Sequence, residues 1–176
     1  MEGENLVIQL DKSHIRGNMP PVFLPVYWTQ FDNMGIAQTM GILCNPEHAI
    51  FDLFPTEYHT NWQWYDLLRD AHPLIFDEYG MKKCWSKDFI PTVQVIDGWK
   101  TNRKLGVLAE ARLGKGKVVI TSMNLTDNLD SRISARQFRI SLARYMNSSD
   151  FAPKCVISPE HIYNLLNQMI KGINKV

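Results

Sequence analysis

The densest group of side chains able to do chemistry is the segment Phe54 to Trp64, FPTEYHTNWQW. In it Glu57 and His59 stand two residues apart, and Trp62, Trp64 and then Tyr65 follow. A carboxylate beside an imidazole can serve as an acid–base pair. Indole rings offer flat apolar faces on which a sugar can stack. The same residues have a structural use, with the rings packing a helix onto a sheet while Glu57, Thr60 and Asn61 organise its start. Large aromatics on an amphipathic helix are more often core than ligand platform, so the structural reading leads. Glu57, His59, Trp62 and Trp64 remain candidate carbohydrate or interface contacts.

Cys44 follows a short apolar run, where a nucleophile elbow would sit, with His48 or His59 as its base. An elbow needs small neighbours, whereas Ile42, Leu43, Asn45 and Pro46 surround this thiol and Pro46 fixes its own φ. Asp77-Glu78 and Asp97 close two strand-like runs, at the ligand-facing edge of an open α/β sheet. Solvated loop ends are the simpler reading, and Asp97 and nearby Trp99 join the candidate contacts. Trp62, Trp64, Trp85 and Trp99 together are the stacking rings that a carbohydrate-binding module would need. Arg132, Arg136 and Arg139 recur at helical spacing and read as a solvated face. Gly114-Lys115-Gly116 lacks the spacing of a phosphate loop and leads into a strand, so it reads as a turn. The five histidines are scattered without an HExxH pattern, and Cys44, Cys84 and Cys155 form neither a CxxC pair nor a disulfide framework. No metal and no cofactor is expected.

These residues need elements to position them. Leu6 to Leu10 is apolar enough for a strand or an ordered lead-in, and His14 to Pro21 reads as a loop. Val22 to Trp28 is strand-like, but Pro25 confines it to an edge or a bulge. Thr39 to Cys44, Pro73 to Phe76, Pro91 to Ile96, Leu105 to Ala109 and Lys117 to Ser122 read as short strands. The last two are joined by the glycine turn as a hairpin. Thr60 to Ala71 reads as a helix capped by Thr60 or Asn61. Ser131 to Met146 is the longest amphipathic helix, with Ile133 or Ala135, Phe138, Leu142 and Tyr145 on one face. Ser158, Pro159 and Glu160 signal a final helix whose stripe is Ile162, Leu165, Leu166, Met169 and Ile170, with Gly172 as a stop.

Interleaved strands and helices predict an α/β fold, with helices layered on a mostly parallel sheet that carries one antiparallel hairpin. The expected division is a lead-in over 1–20, an α/β domain over 21–150, and a C-terminal helix over 151–176. The 176 residues suit one domain and need no disulfide or metal to bury a core. The 19 basic and 18 acidic residues leave a formal charge of +1. That balance is no electrostatic footprint for nucleic acid or an anionic membrane. No run of 18 apolar residues would span a bilayer, and Glu2 and Glu4 break the plan of a signal peptide.

FPTEYHTNWQW and the run Pro91 to Leu125, PTVQVIDGWKTNRKLGVLAEARLGKGKVVITSMNL, resemble the carboxy-terminal region of multidomain bacterial family 2 glycoside hydrolases of the β-galactosidase kind. GILCNPEH (Gly41 to His48) and DSRISARQFRISLARYM (Asp130 to Met146) fit the same pattern. The likeness covers about residues 20 to 147. The glycine-turn strand followed by a long helix also resembles the class I glutamine-amidotransferase-like (flavodoxin-like) fold, an accessory domain in several glycosidases. The amidotransferase nucleophile elbow and its histidine are not recognisable here. The resemblance implies catalytic glutamates on a separate (β/α)8 barrel, and 176 residues hold no barrel, which takes about 250. The expectation is therefore a non-catalytic accessory domain of a periplasmic or secreted glycosidase. Its partners would be the parent's catalytic domains, a second copy, or weakly bound carbohydrate. The alternatives are a carbohydrate-binding module and a small Cys-dependent hydrolase.

Overall fold

The computed structural model describes residues 3–10, 39–77, 85–86, 88–98 and 102–167. Among the described residues seven strands form one sheet: β1 (Asn5–Gln9), β2 (Thr39–Cys44), β3 (Leu74–Asp77), β4 (Val93–Asp97), β5 (Lys104–Leu113), β6 (Gly116–Thr121) and β7 (Val156–Ile157). Three helices accompany them: α1 (Tyr65–Leu68), entered through a 3-10 turn at Trp62–Trp64, then α2 (Ile133–Met146) and α3 (Pro159–Asn167). The chain is a mixed α/β fold.

The order β1-β6-β5-β4-β2 runs across the sheet, and β3 and β7 also pair with β5. Among the described residues β1 with β6 and β5 with β7 are parallel, and the other four pairings are antiparallel. The expectation of a mostly parallel sheet is thus corrected. The parallel reading came from strands alternating with helices, yet the consecutive strands β4, β5 and β6 turn back on one another, and β2 and β3 also enter antiparallel to their partners. That hairpin is as expected. Leu113 pairs with Gly116, and Gly114 at φ 59 supplies the first position of a two-residue primed turn.

β5 is the spine. Leu108 pairs with Val93 of β4 and Thr121 of β6, which therefore flank it on opposite sides. Gly106 pairs with Gln94 of β4 and Leu74 of β3, so β3 continues the β6 flank. Arg112 pairs with Lys117 of β6 and Val156 of β7, so β7 continues the β4 flank. At Gly106 the backbones come close, and a Cβ there would lie 2.6 Å from Pro91 Cβ. Val93 faces Leu108 but Gln94 faces Gly106, so Val107 is an extra residue, a bulge that changes the strand's phase. Leu105, Val107 and Leu108 consequently share one core cluster, while Ala109 and Ala111 join the other.

The two clusters lie on the two faces of the sheet, as the alternation of Val118, Val119 and Ile120 along β6 shows. The first is covered by α1 and α2 through Leu67, Leu68, Ala135, Phe138, Leu142 and Tyr145. The second is covered by α3 through Ile162, Leu165 and Leu166. In α3 the His161 ring reaches back, its Nδ1 accepting from the Ser158 N–H at 3.2 Å, a capping-box arrangement with histidine in place of Glu or Gln.

Several local expectations change. The first helix is a 3-10 turn and one α turn rather than a continuous helix over 60–71; Asn61 caps it, its side chain accepting from Gln63 N–H. Ile133 is exposed and Ala135 takes the core position. Arg132 is buried, not part of a solvated stripe, and its guanidinium donates to the carbonyls of Asp127, Asn124 and Asp66. It ties α1 to the start of α2, while Arg136 and Arg139 stay exposed. His14 to Pro21, Val22 to Trp28, Glu78, Cys84, Trp99, Met169, Ile170 and Gly172 lie outside the described residues.

Candidate functional site

The residues singled out from the sequence separate into an exposed strip and buried structure. The Tyr58–His59 segment lies along β2, with Cys44 N–H donating to Tyr58 O at 2.9 Å and Leu43 bridging to His59. Glu57 and His59 project from it, 63% and 68% exposed, with Nε2 and Oε2 3.9 Å apart. That distance is beyond a hydrogen bond. Trp62 is 79% exposed and its ring stands 5.9 Å from that of Tyr65, with the Arg69 guanidinium 5.8 Å from the Tyr65 centroid. Glu57, His59, Trp62 and Tyr65 are therefore all exposed, the first two as one pair and the two rings as another.

Trp64 does the opposite. It has no exposed surface, meets Phe51, Phe54 and Phe138 edge-on or tilted, and donates through Nε1 to Thr56 Oγ1 at 2.8 Å. Trp85 is likewise buried, against Phe76 and Phe89. Neither can stack on a ligand. Asp97 is corrected as well: it is neither at a ligand-facing edge nor at a solvated loop end. Both it and Arg103 keep side chains 2% exposed, joined by Nε–Oδ2 at 2.8 Å and Nη2–Oδ1 at 2.9 Å. Asp97 also accepts from the N–H groups of Gly98 and Arg103, so it clamps the ends of a loop.

Cys44 is buried, and its Sγ donates to Glu57 O at 3.3 Å. Burial pushes its thiol up to about 11, so at neutral pH it stays protonated and unreactive. Burial also raises the Cys155 thiol.

A second site comes into view only in three dimensions. Between Leu108, the last β5 residue paired with β4, and Arg112, the first paired with β7, that flank of β5 has no strand neighbour among the described residues. A cleft of about 510 Å³ opens there, roofed by the end of α2. Glu110 projects into it from β5, Tyr145 from α2 and His48 from the turn before Ala49. Tyr145 donates its hydroxyl to Glu110 Oε2 at 2.7 Å. Burial first, and then the Glu110 carboxylate, push the Tyr145 phenol well above its ordinary value, so it remains a donor. His48 Nδ1 accepts from Ile50 N–H at 3.2 Å. The neutral ring therefore carries its proton on Nε2, which lies 3.8 Å from Glu110 Oε1. Phe89 and Pro91 line the apolar part. Sequence reading missed Glu110 because it sits inside a strand whose alternation is broken by the bulge at Val107. The pairing of distant His48, Glu110 and Tyr145 leaves no local signal.

Among the described residues no group of three or more His, Cys, Asp or Glu side chains is placed to hold a metal ion. No helix there is long and apolar enough to cross a membrane.

Fold and site together define a small mixed α/β module with an exposed aromatic strip and a polar cleft on the flank of its central strand. The model of the family described as Domain of unknown function (DUF8487) matches residues 1–167, and the chain belongs to that family. No curated protein matches it.

Proposed function

We propose that the chain is a non-catalytic accessory domain of a β-galactosidase-like glycoside hydrolase, packing against the parent's catalytic domains and touching carbohydrate weakly. The observation that carries this reading is the state of its reactive side chains. Cys44 is a buried, protonated thiol bonded to a carbonyl. His48 has Nδ1 occupied by Ile50. Glu57 and His59 form a solvent-bathed pair with no hydrogen bond between them. A nucleophile needs a base within hydrogen-bond reach and a third group to orient that base, and these residues do not meet that requirement. The β-galactosidase connection rests on the sequence resemblance at Phe54 to Trp64 and Pro91 to Leu125. The amidotransferase-like layering belongs to the same proposal. It draws support from helices on both faces of the sheet and runs against its antiparallel majority.

The alternative of a carbohydrate-binding module narrows to the strip around Trp62, because Trp64 and Trp85 are core. In this reading the indole face and the Tyr65 ring receive the apolar face of a sugar, and Glu57 and His59 take its hydroxyls.

Two measurements test the proposal. Incubated with aryl-galactosides, the chain is expected to give no turnover above the buffer rate. Robust turnover abolished by Cys44→Ala or Glu57→Gln would overturn the non-catalytic reading. Tryptophan fluorescence titrated with galactosides is expected to respond in the millimolar range and to lose that response in Trp62→Ala. An unchanged titration in that variant would remove the strip from the proposal.

A further inference from the structure

We propose that the cleft on the flank of β5 is a second ligand site, built for a hydroxyl-bearing, non-anionic ligand of about monosaccharide size. Its volume of about 510 Å³ falls within the range of roughly 300–1,000 Å³ typical of small-molecule sites.

The ligand chemistry follows from two atoms. His48 Nε2 must carry the proton of the neutral ring, because Nδ1 is occupied as an acceptor by Ile50 N–H. It is therefore a donor. Glu110 Oε1 is an acceptor, its sister oxygen being held by the Tyr145 hydroxyl. The two stand 3.8 Å apart on side chains 29% and 18% exposed, too far for a direct hydrogen bond. An oxygen about 2.8 Å from each completes a triangle with them, and that is ordinary hydrogen-bond length. The atom at that apex must accept from nitrogen and donate to carboxylate at once. A hydroxyl does both. An ammonium has no lone pair for the Nε2 proton, and a carboxylate has no proton for Glu110.

The surroundings fit a polyol. Ile90, 68% exposed, offers an apolar face to ring C–H groups, while Asn45, Gln94 and Lys154 stand about the cleft with further donors and acceptors, and Asp88 and Asp150 add two carboxylates to that of Glu110. The geometry of the hydrogen-bonding groups is fixed. Glu110 is on the sheet's central strand with one oxygen pinned, and the His48 ring packs on Tyr145 with centroids 5.2 Å apart. Such a site holds its ligand without reorganising.

The test titrates the full chain with D-galactose, galactosamine and galacturonate, reading binding by calorimetry and the His48 ring resonances by NMR. Galactose and galactosamine are expected to bind in the millimolar range, shift the His48 signals and bind more tightly than galacturonate. His48→Asn keeps an acceptor for Ile50 N–H, since asparagine is a good cap, but withdraws the donor from the cleft. Glu110→Gln removes the charge from the acceptor. Each is expected to weaken cleft binding about tenfold, while Trp62→Ala leaves it unchanged. The inference fails if galactose up to saturation leaves the His48 signals in place, as it would if the 3.8 Å gap held only water. Tighter binding of galacturonate would overturn it too. Binding lost in Trp62→Ala but intact in both cleft variants would sink this inference while leaving the accessory-domain proposal standing.

Discussion

Trp62 and Trp64 are two residues apart in the sequence, and replacing each by alanine is expected to have very different consequences. Trp64 is fully buried among Phe51, Phe54 and Phe138, and its indole N–H is bonded to Thr56. Truncating a buried tryptophan costs about 3–5 kcal/mol through lost transfer energy and the cavity left behind. Losing its hydrogen bond adds about 1 kcal/mol. We expect about 5 kcal/mol for Trp64→Ala, against a total of roughly 5–15 kcal/mol for a domain. With a urea slope near 2 kcal/mol/M, the midpoint should fall by about 2.5 M. Trp62 is 79% exposed, so Trp62→Ala should cost no more than about 0.5 kcal/mol. Trp64→Phe keeps a ring in the cluster but drops the bond to Thr56, and should fall between, near 1–2 kcal/mol. Urea unfolding followed by circular dichroism at 222 nm reads all three without relying on the indoles being removed. Equal midpoint shifts for Trp62→Ala and Trp64→Phe would refute the assignment of one ring to solvent and the other to core.

Two further outcomes follow from the buried polar groups. Asp97→Asn leaves the Arg103 guanidinium without its carboxylate in a site 2% exposed, and should cost about 3–5 kcal/mol in thermal or urea unfolding; a loss under 1 kcal/mol would show that the clamp is not desolvated. Cys44 titrates near 11 in the fold against 9.0 when unperturbed. Its contribution to stability is therefore fully present below pH 9 and is lost as the pH rises through 11. Iodoacetamide at pH 8 should modify it far more slowly than in the unfolded chain, and Cys44→Ala should flatten part of the alkaline fall in stability. Rapid alkylation of Cys44 in the folded chain would contradict its placement.

What the sequence made legible is local. The Gly114 turn, the Asn61 cap and the Ser158 start of α3 are each specified by residues within a few positions, and each is found where expected. The stripe Phe138, Leu142 and Tyr145 was legible for the same reason. What failed is non-local. A strand's direction is set by its partner, so alternation with helices suggested parallel pairing that the sheet does not have. Arg132 looked like one of three solvated arginines because nothing nearby in sequence announces the carbonyls of Asp66 and Asn124. Asp97 and Arg103 are six apart, a spacing with no periodic meaning until β4 and β5 pair antiparallel. Glu57, His59 and Trp62 were grouped because a single stretch holds them, and the same proximity drew Trp64 into the group although its ring is buried in the core.

The cleft follows from the same non-local logic. β5 has ten residues, longer than any strand beside it, so each of its flanks is shared by two partners. On one flank β6 and β3 meet almost end to end, at Leu108 and Gly106. On the other, β4 stops at Leu108 and β7 starts at Arg112. The bulge at Val107 changes the strand's phase just before that gap. After it, Ala109 and Ala111 turn to the α3 face, and Glu110 turns to the α2 face beneath Tyr145. Without the extra residue, the alternation of period two would carry Glu110 to the opposite face and put Ala109 and Ala111 beneath α2. The pairing of carboxylate and imidazole in the cleft therefore depends on one inserted residue and on Gly106. That glycine lets β5 pass Pro91 closely enough for the bulged pairing to form.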